Sequence, residues 1–266
     1  MMIDTTKPVL APGETLAGYL SGPDGRTMKE RPILLRQHEV IAVLAGTKTQ
    51  LRRVIKPQPN SNHGGEPYWF VGGYRAWRHR GITDVLRMGA INELRCPFGM
   101  PGDRLWVREA HAFVPEPAYR CSKGVTQKQN PQDHYEACIY RAGFDRASGG
   151  IGWRPSIQMP RWASRLTLEV IRVRVERLHD ISDADAIAEG LKGITKDGKT
   201  IKYGVADADG LPGTDDHGWA WRDWCTSPAK AYQRLWEDIH GAGSWGANPW
   251  VWVVEFSVSP NHKGAS

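Results

Sequence analysis

The residues able to do chemistry gather in a few short stretches. At Gly46-Thr47-Lys48-Thr49-Gln50-Leu51-Arg52-Arg53 an apolar run stops at a glycine, and the chain enters a segment carrying one lysine, two threonines and two arginines, with Lys56 close behind. A lysine just past a helix end has a bland use, complementing the negative pole for a few tenths to about 1 kcal/mol. Its other use is in a cleft, polarising a carbonyl or offsetting charge on a phosphate. Arg52, Arg53 and Lys56 form a basic run that is either a solvated face or a grip on a phosphate backbone. In a second stretch, Pro155 and Pro160 bracket a loop between the pairs Trp153-Arg154 and Arg161-Trp162. Aromatic planes beside guanidinium groups suit stacking on exposed bases. Glu189 stands near the end of a short helical pattern, where a negative charge opposes the helix dipole. A residue set against that field invites a functional explanation.

The elements that must position these residues follow from periodicity. Residues 31–35 read as a short strand and 37–44 as a helix, which Gly46 stops in the left-handed conformation. Residues 49–55 read as extended, closed by Pro57 and Pro59, which exclude a continued helix. A turn at 101–103 leads into a strand with alternating faces. Residues 166–178 alternate almost throughout, arginines on one face and valines on the other. The stretch 181–191 is a short helix with Ser182 as N-cap and Gly190 as stop. Residues 228–239 carry Tyr232, Leu235, Trp236 and Ile239 at helical spacing, and 250–258 is a buried strand. Residues 1–30 look like a loose arm and 259–266 like a tail. The span 31–258 reads as a single domain, with insertions near 60–95, 115–150 and 193–225. The expected class is α+β, mainly β: a small curved sheet or barrel with short helices at its ends.

At 266 residues and 40% hydrophobic, the chain can bury a core. Its formal charge of +6 favours polyanionic partners. Cys96, Cys121, Cys138 and Cys225 show no CxxC spacing, so neither structural zinc nor any other metal or cofactor is expected. No apolar run approaches the roughly 20 residues that span a bilayer, and the expectation is a cytoplasmic protein with reduced thiols. His38, His111, His179 and His217 are scattered without an inferable partner. Neither a Gly-x-Ser-x-Gly elbow occurs, nor a Walker loop or a GxGxxG that a suitable helix follows.

Four blocks taken in order resemble the ASCH domain, a branch of the PUA-like superfamily. They are Leu-Ala-Gly-Thr-Lys-Thr at 44–49, Gly-Asp-Arg-Leu-Trp-Val at 102–107, Ser-Asp-Ala-Asp-Ala-Ile-Ala-Glu-Gly at 182–190 and Trp-Val-Trp-Val-Val-Glu-Phe at 250–256. The order and spacing are most similar to the long versions found in bacteriophages and prophages. The resemblance implies a pseudo-barrel of five or six strands with a cleft beside the lysine turn, located in the bacterial host cytoplasm. It also implies handling of RNA or a modified nucleobase, with DNA as an open alternative. One branch is an amidohydrolase that deacetylates N4-acetylcytidine, using a lysine, a threonine three residues later and a glutamate near the end of the helix after the central strand. Lys48 and Glu189 match the first and third, whereas Leu51 stands at the threonine position and offers no nucleophile. Three outcomes follow. Thr49, on the same face of an extended chain as position 51, replaces the hydroxyl; a Glu189-activated water attacks while Lys48 stabilises the oxyanion; or hydrolysis is lost and the cleft only binds. A hydrolase acting on a base amide or on single-stranded RNA is thus weighed against a non-catalytic reader and a phage assembly factor.

Overall fold

A computed structural model describes residues 27–58, 61–63, 66–71, 74–78, 96–146, 149–214 and 217–259, the stretch 61–78 by its backbone alone. Nearly all of the expected N-terminal arm and tail, and residues 79–95, lie outside the described residues. In chain order the elements are β1 (Glu30–Leu34), α1 (Gln37–Leu44), β2 (Gln50–Val54), β3 (Ser61–His63), β4 (Glu66–Val71), β5 (Tyr74–Arg78), β6 (Arg104–Arg108), β7 (His111–Pro115), β8 (Gln127–Gln129) and β9 (Glu136–Tyr140). There follow β10 (Thr167–Arg177), α2 (Asp183–Ala188), β11 (Lys192–Thr195), β12 (Ile201–Gly204), α3 (Pro228–His240) and β13 (Trp250–Val258). The protein is mostly sheet with few helices.

The central sheet has five strands in the order β1-β6-β10-β13-β2, parallel between β1 and β6 and antiparallel elsewhere. Its axis is β13, whose Trp-Val-Trp-Val-Val run is buried on both faces. Trp252, Val254 and Phe256 enter one core with Val40 and Val43 of α1, Leu51, Leu105 and Leu168. Val251 and Val253 enter a second core with Ala186, Tyr232, Leu235 and Trp236 from α2 and α3. A continuous apolar run is what a strand covered on both sides requires. The alternation of β10 changes phase at a bulge between Val170 and Arg172, which leaves Ile171 exposed and turns Val173 inward.

The expected barrel is not closed by strand pairing. Among the described residues no ladder joins β1 to β2, and the two edges are linked instead by Arg53, whose Nη2 donates to the Leu34 carbonyl at 3.4 Å. The three expected insertions carry structure of their own: the meander β3-β4-β5, the small sheet β7-β9-β8 and the hairpin β11-β12. The helix stops are as read from the sequence, with Gly46 at φ 72° and Gly190 at φ 103°. The Ser182 side chain accepts from the Asp185 N–H at 3.1 Å, as an N-cap should.

Candidate functional site

Lys48 and Glu189, 141 residues apart, meet. They form an isolated antiparallel bridge, and the Thr49 N–H donates to the Ala188 carbonyl at 2.9 Å. Lys48 Nζ donates to Glu189 Oε2 at 3.0 Å and to the Glu189 carbonyl at 2.8 Å, and lies 3.7 Å from Glu39 Oε1. Both residues are buried, at 3% and 4% exposure. Gly190 permits this approach, because a Cβ there would stand 2.9 Å from the Ala42 Cβ and 3.2 Å from the Lys48 Cβ.

The pair belongs to a larger cluster. Arg52 Nη1 donates to Glu189 Oε1 at 3.1 Å, and its Nη2 reaches Glu176 at 3.1 Å and Asp185 at 3.3 Å. Arg174 bonds Asp185 at 2.9 Å and pairs with Glu176 and Glu255. Arg53 Nη2 lies 3.3 Å from Glu39 Oε1. Four cations therefore serve five carboxylates. Buried ions are tolerated when paired and hydrogen-bonded, and removing one partner costs far more than the pair contributes. Burial alone would raise the Glu39 carboxyl, but Arg53, Lys48 and the Arg36 N–H, which donates to Oε2 at 2.9 Å, together hold it at about 2. Burial holds the neighbouring His38 imidazole at about 4, hence neutral. The Tyr232 hydroxyl is pushed well above its ordinary range by burial and by Glu189.

Two spaces adjoin the cluster. The inner one, bounded by Lys48, Glu189, Arg52, Tyr232 and Trp236, has room for about 10 Å³, no more than a single water. The expected base-sized cleft at the Lys48–Glu189 pair is thus filled, because Tyr232, Leu235, Trp236 and Ile239 of α3 pack over it. The outer space is an open groove of about 630 Å³ running along Leu34, Arg36, Gln37, Ser156 and the end of α3. Glu39, Arg53, Ile239 and His240 line both spaces and form the partition between them.

The other sequence-derived candidates are placed differently from their expected roles. Thr49 is exposed while Lys48 is buried, so strand alternation turns its hydroxyl away from the pair. Leu51 faces the α1 core opposite Val254, on the other side of β2 from Arg52, and a hydroxyl at that position would point away from Glu189. Arg52 is 1% exposed and committed to carboxylates, which overturns its assignment as a phosphate contact. Arg53 is half-buried and borders the groove, whereas Lys56 is exposed on the following turn.

In the Trp153–Trp162 loop the rings and guanidinium groups have partners within the fold. Trp162 lies against Phe113 at 5.4 Å, Trp153 packs edge-on against Phe144 at 5.3 Å, and Arg154 covers Phe113 at 4.7 Å. Arg161 forms a bidentate pair with Glu30 at 2.7 and 2.8 Å. These aromatics and guanidinium groups satisfy one another within the fold, the usual fate of large rings with a packing surface at hand.

Local sequence pattern missed Glu39, Asp185, Glu176, Glu255 and Arg174 as members of the cluster. A signal existed: Asp185 and Glu189 stand four apart across a helix face, and Arg174 and Glu176 two apart on a strand face. Arg36 and His240, at the groove, carried none. Among the described residues no group of three or more His, Cys, Asp or Glu is placed to hold a metal ion. No described helix is long and apolar enough to cross a membrane. Family models, curated proteins and solved structures return no match to this chain.

Proposed function

We propose that this chain is an ASCH-type, PUA-like protein that binds a nucleobase, free or within single-stranded RNA, and that it reads its ligand without hydrolysing it. The observation that carries the reading is the groove. It adjoins the Lys48–Glu189 cluster, shares Glu39 and Arg53 with it, and at about 630 Å³ falls in the range of small-molecule sites. Glu39 and Arg53 set a carboxylate beside a guanidinium, acceptor next to donor, which complements the amide edge of a heterocycle. In this reading the curled sheet corresponds to the PUA-like pseudo-barrel, its edges bridged by Arg53.

Binding is favoured over hydrolysis because, among the described residues, no serine, threonine or cysteine lines the space at the Lys48–Glu189 pair. Position 51 is leucine, Thr49 points to the face opposite Lys48, and the Lys48 ammonium is already surrounded by Glu189 Oε2, the Glu189 carbonyl and Glu39. An attacking group within hydrogen-bond reach of its base is a requirement of acyl transfer. The test pairs labelled single-stranded RNA with N4-acetylcytidine. Expected are saturable binding of at least one probe, weakened tenfold or more by Arg53→Ala with the circular dichroism spectrum unchanged, and no release of acetate. Turnover of either probe, or an affinity indifferent to Arg53→Ala, refutes the reading.

A further inference from the structure

We infer that the groove recognises a phosphoryl group on its ligand through Arg36, Arg53 and His240, so that the molecule it takes is a nucleotide or the phosphorylated part of a strand and not a free nucleoside. This rests on the nucleobase reading above and adds the charged half of the ligand. The groups facing His240 come from two other elements: Arg36 and Glu39 from α1 and its cap, and Arg53 and Lys56 from β2 and the turn after it. That is three cations against one carboxylate, and the carboxylate is already shared by Arg53 and Lys48.

The excess is felt locally. The last turn of a helix would raise a histidine, yet partial burial, Arg53 and Arg36 lower His240 below its ordinary value. Arg36 is anchored by a single hydrogen bond, Nη2 to the Ile239 carbonyl at 3.2 Å, and makes no ion pair among the described residues. It is an exposed guanidinium held at the groove wall with most of its five N–H donors unspent. Arg36 also caps α1, and the one carboxylate in the first turn of that helix, Glu39, which accepts the Arg36 N–H at 2.9 Å, is already engaged by Arg53 and Lys48. A phosphoryl group supplies three acceptor oxygens and the missing negative charge, and a planar guanidinium matches it.

The test compares the four common ribonucleosides, their 5′-monophosphates and a hexaribonucleotide by calorimetry on the full chain, at low and at about 0.3 M salt. One charge-assisted contact corresponds to roughly tenfold in affinity or more. The 5′-monophosphates or the hexamer should therefore bind at least about tenfold tighter than the nucleosides, with the gap narrowing in high salt. Arg36→Gln together with His240→Gln should reduce the gap to about twofold or less, the gap being read within each variant as the ratio of its phosphate to its nucleoside affinity. Equal affinity for nucleosides and their phosphates, or a gap that survives both substitutions, overturns this inference and leaves the nucleobase reading standing. Failure of every probe to bind overturns both. A preference for the hexamer over all monophosphates assigns the phosphate to a strand, and the converse assigns it to a mononucleotide.

Discussion

Replacing Glu189 with glutamine tests whether the buried cluster is what holds the Lys48 turn onto α2. The change keeps the shape and one acceptor oxygen but withdraws the charge facing Lys48 at 3.0 Å and Arg52 at 3.1 Å. Lys48 then retains the Glu189 carbonyl and Glu39, and Arg52 retains Glu176 and Asp185, so the loss belongs at the lower end for a broken buried pair, about 3 kcal/mol. For a chain of this size that corresponds to a fall in Tm of roughly 6–12 °C. Lys48→Met should cost a similar amount. Because the two side chains are paired with each other, the double variant should be more stable than the sum of the singles implies by about 1.5–3 kcal/mol. Urea unfolding at pH 7, followed by the fluorescence of the buried Trp236 and Trp252, measures all four corners. The effect should persist at high salt, since buried pairs are screened much less than exposed ones. A Glu189→Gln variant within about 0.5 kcal/mol of the parent, or strict additivity, would refute the coupling.

Gly190→Ala should destabilise by about 2 kcal/mol or more, through both its positive φ and its contact with Ala42, whereas Gly46→Ala, with open space around it, should cost only about 1 kcal/mol; thermal unfolding separates them. Leu51→Thr introduces a hydroxyl at the position where the amidohydrolase pattern has one but sets it in the α1 core, and should cost roughly 2–4 kcal/mol by urea unfolding with no release of acetate from N4-acetylcytidine. His38 is held neutral with a folded value of about 4 against 6.5, so its contribution is complete above pH 6.5 and is lost as pH falls toward 4, at most about 3 kcal/mol. Glu39, depressed from 4.5 to about 2, adds a second loss as pH falls from 4.5 toward about 2. Stability measured from pH 7 to 3 should show both steps, and His38→Asn should remove the upper one.

Periodicity and punctuation sufficed for the elements. The strand at 167–177, the apolar run of β13, the Ser182 cap and the glycine stops at 46 and 190 are local properties, and each appears where local rules put it, save the phase change at the β10 bulge. The nearness of Lys48 to Glu189 was legible only through resemblance, since no pattern within either segment points to a partner 141 residues away.

Tertiary structure alone decided what the charged and aromatic residues do. Alternation along β2 separates Arg52 from Leu51 and Arg53, but it cannot say that α2 and α3 will cover the Arg52 face while the other opens beside Arg53 onto a groove. Composition supplied the tryptophans and arginines of the 153–162 loop, and the fold spent them on Phe113, Phe144 and Glu30. A strand's two faces are set by the geometry of the chain itself, whereas which face meets water depends on the helices that pack against it. For an ionisable side chain that difference separates a buried partner in an ion cluster from a contact offered to a ligand.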